Sequence, residues 1–213
     1  MIFIGCGSVA SLVLSGADIS QWEISVIWGL AVTIAIYITG AVSGTQINPA
    51  VTIELMIYRD FPKEKAIPYI AYQVAACFIG VSTVYFLFEN LFINFKSANN
   101  IVRASTDGLA TAGIFSTYSH IDITIFKALF VEIIITMILF IVILAVGEAR
   151  NSNKPGSNLA PAMIGLTIVI IDGSFGVLTG FAMNPARDFG PKLFVMLAGW
   201  GRFALGENIV MKI

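Results

Sequence analysis

Asn48-Pro49-Ala50 and Asn184-Pro185-Ala186 repeat one tripeptide, and each copy is suited to start a helix. The Asn side chain accepts hydrogen bonds from the free backbone N–H groups of a first turn. Pro fits the next position because the N–H it lacks has no partner there, and Ala is a strong helix former. A single copy would be an ordinary helix start. Here each copy follows a short polar, glycine-containing stretch, Ser43-Gly44-Thr45-Gln46 or Thr179-Gly180-Phe181-Ala182, and precedes an apolar run, Ala50–Tyr58 or Phe189–Trp200. The stretches read as extended backbone, whose carbonyls are tolerated at membrane depth only where they line a water-filled cavity or are buried in protein. Two helix N-termini meeting there would each bring roughly half a positive charge. Such a centre repels cations and offers acceptors to a neutral, hydrogen-bonding solute.

The elements that must hold the two copies are membrane helices. The chain is 57% apolar and 12% charged, against about 25% charged in soluble domains, and its mean hydropathy is +0.88. Four runs are long enough to cross a bilayer: Ile19–Val42, Ile67–Phe88, Phe126–Val146 and Leu159–Val177. Three of them separate the tripeptides, and an odd number puts the copies on opposite faces. That is the pattern of an inverted repeat, with its site near the bilayer midplane. The runs after the tripeptides are too short to cross and read as half-helices that dip in and stop. Met1–Leu14 is also short, about 20 Å against a core of about 30 Å. It reads as the second half of a membrane helix rather than a cleavable signal. Arg59, Lys63 and Lys65 precede one span and Arg150 and Lys154 another, which places both loops on the cytoplasmic side. Glu89–Asp122 becomes a longer polar loop outside.

The same inventory argues against an enzyme. No nucleophile–base pair or phosphate loop is apparent, and His120 is the sole histidine. Cys6 and Cys77 sit in apolar runs with no metal or redox spacing. A net charge of -1 without a basic cluster gives no reason to expect nucleic acid. No cofactor and no metal are expected.

At this point the chain resembles the major intrinsic proteins, the aquaporins and glycerol facilitators. The resemblance runs up to Gly201 and is carried by Gln21–Leu30, Ser43–Ile53, Ile101-Val102-Arg103, Gly113–Tyr118, Leu159-Ala160-Pro161, Gly180–Lys192 and Ala198–Gly201. It implies an all-α membrane channel in a single domain over residues 1–213, with a first repeat near 1–88 and a second near 123–200. It also implies a multi-pass location in the inner cell membrane and a homotetramer in the lipid bilayer, each protomer with its own pore. Asp188 after the second tripeptide, with Trp28 and Phe181, is similar to the glycerol branch rather than the water branch. Glycerol, with some water and small polyols or urea, is then the expected permeant.

The resemblance also assigns residues. Trp28, Phe181 and Arg187 would form the filter, with two aromatic faces for the CH backbone of a polyol and a guanidinium fork for its hydroxyls. Asn48 and Asn184 would donate to the solute. The carbonyls of Gly44, Thr45, Gln46, Gly180, Phe181 and Ala182 would accept from it. Glu132 would hold the loop backbone, and Asp188 would support it. Four positions depart from the family. Gln46 stands where His is usual. Asp172 stands where the glycerol branch carries Gly in the filter; it either narrows the pore beside Arg187 or turns away. The first helix is expected to lack its beginning. After Trp200 no sixth span is expected, with 201–213 an atypical tail. These departures leave a non-conducting remnant as an alternative, and a water-selective channel as another.

Overall fold

The computed structural model describes residues 1–206, all of its regular elements helical. Residues 207–213, the greater part of the tail read as atypical, lie outside the described residues. In chain order the helices are α1 (Ile2–Ser15), α2 (Gln21–Ser43), α3 (Pro49–Tyr58), α4 (Lys63–Ala98), α5 (Leu109–Ala112), α6 (Ile125–Gly147), α7 (Ala160–Thr179) and α8 (Pro185–Val195). Among the described residues, α2, α4, α6 and α7 are long and apolar enough to cross a membrane. The sequence α1–α2–loop–α3 recurs as α6–α7–loop–α8. Half-helices α3 and α8 touch each other, and α4 packs along α8.

Local chemistry explains the boundaries. Ser20 opens α2 with a capping box: its hydroxyl accepts from Glu23 N–H, while Glu23 Oε2 accepts from Ser20 N–H at 2.7 Å. Thr124 caps α6 through Lys127 N–H. The α2–α7 contact is the most extensive in the molecule, and two glycines permit it. A Cβ on Gly29 would lie 2.5 Å from Gly165 O, and one on Gly165 would lie 2.5 Å from Gly29 O. The backbones therefore meet with nothing between them, as small residues allow in membrane helices.

α4 outruns the expected Ile67–Phe88 at both ends. Its 36 residues make about 54 Å of helix at 1.5 Å per residue, longer than a bilayer of about 40–45 Å. The added turns carry Phe92 and Phe95, which are packing residues rather than loop residues. Phe92 is fully buried and meets Tyr85 and Trp200 edge-on, with centroids 5.5 Å apart in each case. The polar loop consequently begins near residue 99, and much of it is packed. Arg103 lies over the rings of Trp200, Phe92 and Tyr85 and donates to Ala198 O at 2.7 Å. Ile114, Phe115, Ser116 and Thr117 beyond α5 are buried.

Candidate pore and selectivity filter

The two loops before the tripeptides are not extended. Gly44 and Gly180 end α2 and α7 in the left-handed region, at φ 69° and 71°. Thr45, Phe181 and Met183 follow at φ 49°, 42° and 44°. A glycine at the C-cap adopts this geometry freely. A side chain there costs on the order of 1–3 kcal/mol and persists only where neighbours enforce it. In the second loop the enforcing group is Glu132 on α6. Its Oε1 accepts from Ala182 N–H at 3.1 Å and from the Thr179 hydroxyl, and its Oε2 accepts from Met183 N–H at 2.8 Å. In the first loop Gln73 on α4 donates to Gln46 O and to Thr52 Oγ1, and the Thr39 hydroxyl donates to Thr45 Oγ1.

At the tripeptides each Asn does two things. Asn48 Oδ1 caps Ala50 N–H at 2.9 Å, and Asn184 Oδ1 caps Ala186 and Arg187 N–H at 3.1 and 3.2 Å. Across the centre, Asn48 Nδ2 donates to Met183 O at 2.8 Å, and Asn184 Nδ2 donates to Ile47 O at 2.7 Å. These reciprocal bonds fasten the two half-helices together. A carboxamide nitrogen carries two protons, so one on each Asn remains for a third party. Pro49, Ala50, Pro185 and Ala186 form the first turns behind them.

A cavity of about 150 Å³ runs past both asparagines. Val32, Ile36, Leu139, Ile143, Ile164 and Ile168 give it an apolar lining. Gly44, Thr45, Gln46, Asn48, Ala182, Asn184 and Arg187 line it as well. Gly180 is not among these lining residues; a Cβ on it would stand 3.1 Å from Thr117 Cβ. Trp28 and Phe181 meet edge-to-face, with centroids 5.6 Å apart and planes at 83°. The Arg187 guanidinium lies over both, 4.6 Å from the Trp28 ring and 5.4 Å from the Phe181 ring. Cation–π attraction and burial (7% exposed) hold it there without an ion pair among the described residues. Two rings at right angles and one planar cation make a corner with two greasy sides and one donor side.

Asp172 neither pairs with Arg187 nor walls the cavity. It is fully buried at the α2–α7 contact, where Oδ1 accepts from Gln21 Nε2 at 3.0 Å. Of the two placements open for Asp172 from the sequence, the lining filter residue gives way to the one turned from the cavity: the carboxyl finds a donor on α2 and packs there. Asp188, in the first turn of α8, pairs with Lys192 at 2.7 Å one turn on and accepts from the Thr117 hydroxyl. Thr117, Gln73 and Gln21 were not singled out from the sequence. Gln73 alone had a visible signal, a carboxamide inside an otherwise apolar span.

The Major intrinsic protein family profile matches residues 1–204. The chain belongs to that family of passive membrane channels and is not an enzyme. Its relatives include the glycerol uptake facilitator protein of Escherichia coli K12, 52% identical over 96% of this chain and 72% of that one. The propanediol uptake facilitator of Salmonella typhimurium is 46% identical over 96% of this chain and 76% of that one. The X-ray structure of the aquaglyceroporin from Plasmodium falciparum superposes with a TM-score of 0.84 at 30% identity, covering 97% of this chain and 80% of that one.

Proposed function

We propose that this chain forms a passive pore for glycerol and related small polyols, with some water and urea, in the inner cell membrane. The observation that supports this best is the filter corner. A polyol is amphipathic, with CH groups along one side and hydroxyls along the other. The Trp28 and Phe181 rings receive the first, and the Arg187 fork donates to the second. Beyond the corner the solute passes a lining of apolar and polar groups, where the free protons of Asn48 and Asn184 and the loop carbonyls exchange hydrogen bonds with it in turn. Cations meet the Arg187 charge and then two half-helix N-termini. Glu132 and Asp188 keep the loops in register, and four copies assemble around four separate pores.

The test is stopped-flow light scattering on proteoliposomes carrying this chain. Glycerol reswelling should exceed that of empty vesicles and fall sharply in Arg187→Gln and Asn184→Ala variants that still insert. Reswelling no faster than that of empty vesicles refutes the reading.

A further inference from the structure

Asp172 lies behind the filter, and its surroundings point to a task. The point where a Cβ on Gly176 would stand is 2.0 Å from Asp172 Oδ1 and 3.4 Å from Phe181 Cδ1. The missing side chain at Gly176 leaves a notch, the Asp172 carboxyl fills it, and the Phe181 ring borders the same notch. The same Oδ1 accepts from Gln21 Nε2 in the first turn of α2, the helix that carries Trp28 two turns further on. One carboxyl thus touches the element that places each aromatic ring of the filter. Gly173 keeps the seam narrow: a Cβ there would stand 3.4 Å from the Trp22 ring.

We propose that Asp172 is a positioning residue that sets the width of the filter. It braces Phe181 from behind and ties α7 to the start of α2, fixing the gap through which the solute passes. This assignment rests on the polyol-pore reading above. The brace works by shape and by an accepted hydrogen bond, so an isosteric acceptor should replace it. Without the brace, Phe181 gains room to swing back, and solutes one carbon longer than glycerol benefit most. One methylene in a fitted pocket is discriminated by about tenfold or more.

The experiment measures erythritol and glycerol permeability in proteoliposomes for the wild type, Asp172→Ala, Asp172→Asn and Gln21→Ala. The erythritol-to-glycerol ratio should rise on the order of tenfold in Asp172→Ala and in the same direction, by less, in Gln21→Ala. Asp172→Asn should keep the wild-type ratio. A merely structural role would lower both permeabilities together and leave the ratio alone. If Asp172→Ala does not insert, Gln21→Ala decides, because it leaves the carboxyl in place and removes only its tie. An unchanged ratio in the inserted variants, or a rise in Asp172→Asn equal to that in Asp172→Ala, overturns the assignment while leaving the pore intact. No polyol flux in the wild type overturns the pore reading and this assignment with it.

Discussion

Removing Glu132 should collapse the filter loop, and the cost can be worked from its bonds. Its two oxygens accept from Ala182 N–H, Met183 N–H and the Thr179 hydroxyl. The Thr179 hydroxyl can turn to another acceptor; the two backbone N–H groups cannot. Each buried donor left unpaired costs about 1–3 kcal/mol, so Glu132→Ala should cost the loop about 2–6 kcal/mol. The positive-φ conformations of Phe181 and Met183 then lose what enforces them, which adds a drive to relax. Glu132→Gln keeps one oxygen and points an NH₂ group where the other accepted. It should therefore cost about half as much, one unpaired donor rather than two. Every 1.4 kcal/mol is a factor of ten in the population of the competent loop. Glycerol flux should consequently fall by more than tenfold in the Ala variant and by less in the Gln variant, with equal protein inserted. Stopped-flow flux normalised to reconstituted protein reads this directly. Wild-type flux in Glu132→Ala would mean that the loop holds its shape without its acceptor, and would rule out this role for Glu132.

Asn48→Ala and Asn184→Ala each remove a cap worth about 0.5–2 kcal/mol. Because their amides bond across the same centre, the double variant should depart from additivity by about 0.5–3 kcal/mol in a thermal-unfolding cycle, and strict additivity would contradict the reciprocal fastening. Gly165→Ala forces a methyl to within 2.5 Å of Gly29 O and should destabilise the α2–α7 seam by about 1–3 kcal/mol; an unchanged melting midpoint in detergent would count against that contact. Outside the spans, the Arg150 backbone N–H and then its guanidinium hold the Glu148 carboxyl down to about 2 from an ordinary 4.5. A depressed carboxylate stabilises the fold fully above its unfolded value and loses that effect as the pH drops through its folded value. The melting midpoint of the wild type should therefore fall more steeply than that of Glu148→Gln between about pH 4.5 and about pH 2, and parallel curves would exclude the linkage.

The fold was legible in the sequence wherever a physical rule has a short-range signature. Asn before Pro before Ala marked the starts of α3 and α8 because capping and the missing proline N–H act within one turn. The apolar runs located the four long helices because lipid tolerates little else. What lay outside that reach depended on tertiary partners. The last turns of α4 looked like loop because Glu89, Asn90 and Asn94 interrupt the run, and only the packing of Phe92 against Tyr85 and Trp200 makes helix the better choice. The loops before the tripeptides looked extended because nothing in Thr45 or Phe181 announces a positive φ; in the second loop it is enforced by Glu132, some fifty residues away. Asp172 was recognisable as a departure, but its orientation was not. That depends on Gln21, which lies 151 residues away, and on the notch that Gly176 leaves.

A pore that passes an uncharged polyol while refusing ions can be tested on both counts in a single preparation. Proteoliposomes carrying the chain and a trapped pH-sensitive dye would be exposed to a glycerol gradient and then to a potassium diffusion potential. Glycerol reswelling should be fast and should be lost in Asn184→Ala, with a proton leak no greater than that of protein-free vesicles. Glycerol flux equal to that of protein-free vesicles, or a proton leak that rises with protein content, would contradict a pore of this kind.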